Sequence, residues 1–243
     1  LSVYGRRAII VGLGAAAIAA NCPAPAEAQP LDDLNASMND WTWVERSVEA
    51  EDLAPRFGFY LHEAIYVGDP NDEDAVLSGA NDKPIALPTF ARKRPTYPTA
   101  AEAEGHEAEL AAYYRTVLAM TGQPAEDQEQ NFWLDLGLYS EATQVEIPFV
   151  IWTRLSDMAP FSQWVVSGDD GSTFNDLDQG WQVKGKRIGG RIHLQHSGFD
   201  QGGEFANVSV SRVSLADRLA TEEARMAKII GRLRDLLGID PWS

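Results

Sequence analysis

The chain has 243 residues, with 36 acidic against 20 basic side chains and a formal net charge of −16. Binding nucleic acid or anionic lipid rests on many Lys and Arg contacts to phosphate, so neither is an expected partner. The single cysteine, Cys22, excludes an intrachain disulfide framework and a site built from several thiolates.

Residues 1–28 read as a cleavable signal peptide. Gly5-Arg6-Arg7 supplies a positive start and residues 8–20 carry no charge. Pro23 then breaks the helix, and Ala26-Glu27-Ala28 offers an A-x-A cleavage site before Gln29. A stretch of about 13 residues rises about 20 Å as a helix, short of the roughly 30 Å hydrocarbon core of a bilayer. The segment is thus too short for a permanent transmembrane anchor, and a periplasmic or secreted protein is expected, with no cysteine after processing. The paired arginines followed by Ala8-Ile9-Ile10 resemble a twin-arginine export signal; an ordinary secretory start that holds two arginines is the alternative.

Residues 29–40 are polar and are expected to form a flexible leader to a single domain over 41–243, with 123–143 the one stretch where it could subdivide. Phe57, Phe59 and Leu61 alternate as in a strand, while residues 67–98, with Pro70, Pro84, Pro88, Pro95 and Pro98, read as loop. Thr99-Ala100-Ala101-Glu102 has the spacing of a capping box. It opens a helix whose apolar face is Leu110, Tyr114, Val117 and Leu118 and which stops at Gly122.

From Gln144 the period turns to two. Val145, Ile147, Phe149 and Ile151 fall on one side, and Glu146, Pro148, Trp152 and Arg154 on the other. Pro148 has no N–H to give a ladder, which places this strand at a sheet edge. A second short strand is expected over 163–167, then a polar loop opened by Asp169-Asp170-Gly171-Ser172. Strands over 181–184, 191–195 and 205–213, joined by glycine-rich turns, complete an antiparallel meander. The last element is a helix over about 215–237, with Leu219, Met226 and Leu233 seven apart and Glu222 interrupting the seam. It is expected to lie on the sheet, since a coiled coil needs three or four clean heptads. The fold class is α+β: a mixed helix and loop N-terminal half, an antiparallel sheet in the C-terminal half, and a long C-terminal helix packed on that sheet.

Motifs for nucleophilic catalysis, phosphate cradling and dinucleotide binding are all missing, so no cofactor is expected. His62-Glu63 and His106-Glu107 lack the second histidine of a zinc-protease helix; Tyr66 and Leu110 stand in its place. The acidic runs over 69–74 and 169–178 lack the glycine-punctuated register of a calcium loop, so no metal is expected either.

The meander is more informative. Arg191, His193 and Gln195 share one side of their strand, and Asn207, Ser209 and Ser211 one side of the next. Any one-face-buried antiparallel sheet carries polar residues on its wet side, but no second amphipathic helix is evident to cover this one. Joined by the strand from Gln144, the face gathers Trp152, Arg154, Arg191, His193, Gln195 and Asn207, a stacking ring amid groups that orient a polar ligand. The expected function is therefore an exported, non-catalytic protein that binds a polar small molecule, a saccharide or an envelope protein. The alternatives are a hydrolase of cell-envelope or extracellular polymer working through a carboxylate or histidine, and a structural subunit docking through its C-terminal helix. Expressed in a bacterium with its leader, the exported protein should begin at Gln29 or within a residue or two; an intact mass retaining residues 1–28 in the exported fraction would contradict the signal-peptide reading.

Overall fold

The computed structural model describes residues 40–68, 81–122, 128, 131–149, 154–178, 181–198 and 204–242. The expected signal peptide, residues 29–39 of the leader, the acidic run over 69–74 and Trp152 lie outside the described residues. In chain order come β1 (Val48–Glu49), β2 (Ala54–Phe59), β3 (Ala64–Tyr66) and β4 (Asp82–Pro84), then helices α1 (Ala100–Ala103) and α2 (Glu107–Thr121). β5 (Leu134–Ser140), β6 (Val145–Pro148) and α3 (Ala159–Ser167) follow, then β7 (Thr173–Asp178), β8 (Trp181–Ile188), β9 (Arg191–Gly198), β10 (Glu204–Ser211) and α4 (Arg212–Leu237).

The architecture is α+β, and the meander forms as its alternation requires. Five strands pair in the order β1-β10-β9-β8-β7, antiparallel except where β1 runs parallel to β10. Gly189 and Gly190 make the two-residue β8–β9 turn with φ of +56° and +80°, the paired positive values that match the twist of a hairpin. Along β9, Ile192, Leu194 and His196 are buried while Arg191, His193 and Gln195 are partly exposed.

α4 is held at its start by the Ser211 hydroxyl, which accepts from the Ser214 N–H at 3.5 Å, and ends at Gly238 in the left-handed region. Its stripe of Leu215, Leu219, Met226, Ile229 and Leu233 is buried and packs on β2, α2, α3 and β10. Glu222, which interrupts the apolar seam, is buried as an ion pair with Arg225. Arg225, Lys228 and Arg232 reach across to Glu104 and Glu107 at 3.4, 2.9 and 3.0 Å, fixing α4 against the start of α2. No helix among the described residues is long and apolar enough to cross a membrane.

Several local expectations are corrected. The strand beginning near Gln144 does not join the meander: β6 is the edge of a second sheet, β2-β5-β6, because Leu134, Leu136 and Leu138 of β5 supply an alternating partner. Pro148 nevertheless sits on an edge strand. Residues 163–167 are the end of helix α3, whose Phe161 and Val165, four apart, share one buried face behind Pro160. The polar stretch after Ser172 is not a loop but β7, paired along β8. The helix capped by Thr99 and Glu102 has its capping box and its Gly122 stop, yet breaks between α1 and α2 at Gly105, where φ is +88°. The N-terminal half contributes strands as well as helices, since β2 enters the second sheet.

Leu233 is fully buried, so Leu233→Ala should cost about 2–5 kcal/mol, as large-to-small core substitutions do. Denaturant unfolding should show the same loss at every protein concentration; a loss that grows on dilution would mean that the helix is a dimer seam.

Candidate functional site

The polar face of the meander exists, and it is broader than β9 and β10. Cα pairing places Lys184 beside Gln195 and Gln195 beside Asn207. In the next row Lys186 lies beside His193, and His193 beside Ser209. Arg191, His193, Gln195 and Asn207 are thus brought together. Arg154 is not: it is exposed and precedes the short turn Leu155–Met158, where its N–H donates to the Asp157 carboxylate at 3.2 Å.

Residues 40–47 lie across this face, and 48–51 continue beside it along β10. Asn207 Nδ2 donates to the Trp43 carbonyl at 3.0 Å, and the Ser47 hydroxyl meets His193 Nδ1 at 2.7 Å. Arg191 is paired with Glu51 at 2.7 Å and donates to the Ser209 hydroxyl at 3.1 Å. Lys184 Nζ donates to the Asp40 carbonyl at 2.7 Å, and both Lys184 and Lys186 stand over the Trp41 ring, 5.0 and 5.3 Å from its centre. Gln195 is held by Glu204 at 2.7 Å. The strap seals Trp43, Lys184 and Ser209 from solvent. Burial, followed by the charge of Arg191, holds the His193 imidazole below its ordinary pKa. The hydrogen-bonding groups that make this face attractive to a ligand are largely spent on the chain itself.

The second sheet turns a different face outward. Phe57, Phe59, Leu134, Leu136, Leu138 and Ile147 point into the core. Their neighbours Arg56, Asp135, Tyr139 and Glu146 therefore share the opposite side, and the pairing of the Tyr60 N–H with the Trp133 carbonyl at 3.0 Å extends it. Residues 96–99 run along the free edge of β2, with the Phe59 N–H bonded to the Pro98 carbonyl at 3.0 Å and the Leu61 N–H to that of Thr96 at 2.8 Å. Gly58 permits this approach: a Cβ there would stand 2.3 Å from the Pro98 oxygen. The segment delivers Tyr97 and Arg94 to the same face.

The result is a ring cluster beside a charge cluster. Tyr60 contacts His62, Tyr97 and Trp133 at centroid distances of 4.6, 5.0 and 5.9 Å, and all four rings are partly exposed. Burial, with the neighbouring Tyr97, pushes the Tyr60 phenol up to about 12. Glu146 takes hydrogen bonds from Arg94 at 2.9 Å and from Arg56, whose guanidinium covers Tyr139 at 4.9 Å. Burial works to raise Glu146, but the Arg94 hydrogen bonds and the two arginine charges outweigh it and hold its carboxyl below the usual range. Asp135 goes the other way: burial raises it, and the charges of Arg56 and Arg94 do not cancel that.

Sequence reasoning missed this face. Leu134-Asp135-Leu136-Gly137-Leu138-Tyr139 alternates cleanly and would have revealed β5, while Arg94 reads as part of a solvated basic triplet and Trp133 as core filling. No protein-family model matches the chain, nor does any curated protein or solved structure, so a functional reading rests on these two faces.

The two environments carry opposite pH signatures. A histidine depressed by folding contributes stability that is complete above its unfolded pKa of roughly 6.5 and is lost as pH falls below it. A carboxyl raised by folding contributes stability below an unfolded value of about 3.9 that is lost as pH rises through its folded pKa. Relative to the parent, His193→Gln should therefore be less destabilised at pH 5.5 than at pH 7.5. Asp135→Asn should gain stability from pH 3.5 to pH 7.5. Urea midpoints measure both differences, and pH-independent values would contradict the assignments.

Proposed function

We propose that the chain is an exported, non-catalytic saccharide-binding protein whose platform is the outward face of the second sheet. The observation that carries this reading is the set of four touching, partly exposed rings, Tyr60, His62, Tyr97 and Trp133, set directly beside Asp135, Arg56, Arg94 and Glu146. A pyranose has one face of C–H bonds, weakly positive, that suits the negative face of an aromatic ring. Its rim of hydroxyls both donates and accepts, which suits carboxylates and guanidinium groups fixed at the edge of such rings. Arg56 and Arg94 are already oriented by Glu146, so little side-chain freedom is lost when a ligand binds.

A hydrolytic reading has one observation in its favour: the surroundings push the pKa values of Asp135 and Glu146 apart, as acid and base pairs require. Against it, both oxygens of Glu146 are engaged by arginines, leaving a poor base for activating water. The binding reading is the one we adopt.

The test is a titration of intrinsic tryptophan fluorescence with cello-, chito- and malto-oligosaccharides. At least one series should bind, and Trp133→Ala or Arg94→Ala should weaken it roughly tenfold or more, as loss of a central aromatic or arginine contact does. Arg191→Ala should leave affinity unchanged. Failure of all three series at millimolar concentration would overturn the saccharide reading, and release of new reducing ends that stops in Asp135→Asn would replace it with the hydrolytic one.

A further inference from the structure

His196 is the least explained side chain of the described core. It follows Ile192 and Leu194 on the inward side of β9 and is 6% exposed, yet neither ring nitrogen has a hydrogen-bond partner among the described residues. Buried polar groups in folded proteins are nearly always paired, and an orphan calls for a reason. Its surroundings are equally unusual. The imidazole lies between two rings that remain open to solvent, Trp181 (44% exposed, centroids 6.0 Å apart) and Phe205 (58% exposed, 5.2 Å). A cavity of about 10 Å³ adjoins it, lined also by Pro148, Asp176, Gln182 and Val183, which is room for a single small polar group.

We infer that exposed Trp181 and Phe205 form a second saccharide subsite whose sugar places one hydroxyl in this cavity, so that the ligand of the protein is an oligosaccharide chain and not a single sugar. The inference rests on the platform reading above. Burial holds His196 in its neutral form, which presents one N–H donor and one bare nitrogen acceptor. A hydroxyl is the common small group that answers both. Exposed Trp181 and Phe205 offer the flat surfaces on which a sugar's C–H face stacks. A neutral polyol also suits a chain of net charge −16, which disfavours anionic ligands.

Continuity comes from Pro148. Its pairing with Gly137 puts it on the outward face of the second sheet, two residues from Glu146, and it also lines the His196 cavity. One residue thus belongs to the rim of the platform and to the wall of the subsite.

The experiment compares ligands of two to six units in the cello, chito and malto series against the parent, His196→Leu, Trp181→Ala and Trp133→Ala. In the parent, affinity should rise roughly tenfold or more from dimer to hexamer, because the second contact is made within the same molecule. His196→Leu and Trp181→Ala should remove that rise and leave dimer affinity unchanged, whereas Trp133→Ala should weaken every length. The ¹⁵N shifts of the parent's His196 ring should move with the hexamer and not with the dimer. Binding that is independent of length, or a rise that survives both His196→Leu and Trp181→Ala, overturns the subsite and leaves the platform standing. Absence of binding at any length overturns the platform itself. Trp181 is exposed, so its substitution keeps the test decisive if His196→Leu does not fold.

Discussion

The structure depends on one burial event: the apolar stripe of α4 is covered on β2, α2, α3 and β10 together. The helix therefore packs against both the meander and the second sheet, and the buried side chains of both belong to one hydrophobic cluster. Because side chains alternate across a strand, committing Phe57, Leu136, Ile192 and Val208 to that core commits their neighbours to the outside. Each of the two larger sheets consequently carries a polar face, and the functional question becomes which of these two faces is still open.

Chemistry decides between them. Residues 40–51 bring Trp41, Trp43, Ser47 and Glu51 to the meander, where they meet Lys184, Asn207, His193 and Arg191 one for one. Each of the four already spends a polar or cationic contact on the strap, and Lys184 is buried beneath it, so a ligand would have to displace the strap before gaining those contacts. Among the described residues, no segment lies over the second sheet as residues 40–47 lie over the meander. Its rings touch one another and its arginines are held by Glu146, but the outer surfaces of both stay partly wet. Tyr, Trp and Arg in a preorganised group are the residue types that dominate binding energy when they are buried by a partner.

The parts of the fold that were legible in the residues are those where a local period and a local stop agree. The meander from β8 to β10, its Gly189-Gly190 turn, the capping box at Thr99 and the long terminal helix all satisfy that condition. α3 is not legible locally, because Trp164, Val165 and Val166 give a short apolar run that period alone cannot assign, and only Pro160 hints at a helix. The alternation from Gln144 marks β6 as a strand but not its sheet, since pairing partners are a long-range choice that no local pattern encodes. The candidate site suffered most from this. Arg191, His193, Gln195 and Asn207 do share a face, but the strap that occupies it comes from a segment about 150 residues away in sequence. Asp135, Arg56 and Arg94 meet only because β5, β2 and the segment over 94–99 become neighbours.

The most direct measurement is amide chemical-shift mapping of the ¹⁵N-labelled parent chain during titration with the oligosaccharide series that binds. The amides of Tyr60, Tyr97, Trp133 and Asp135 should move while those of Trp43, Arg191, His193 and Asn207 stay in place. Shifts confined to residues 40–51 and the meander face, with Trp133 and Asp135 unmoved, would contradict the platform reading.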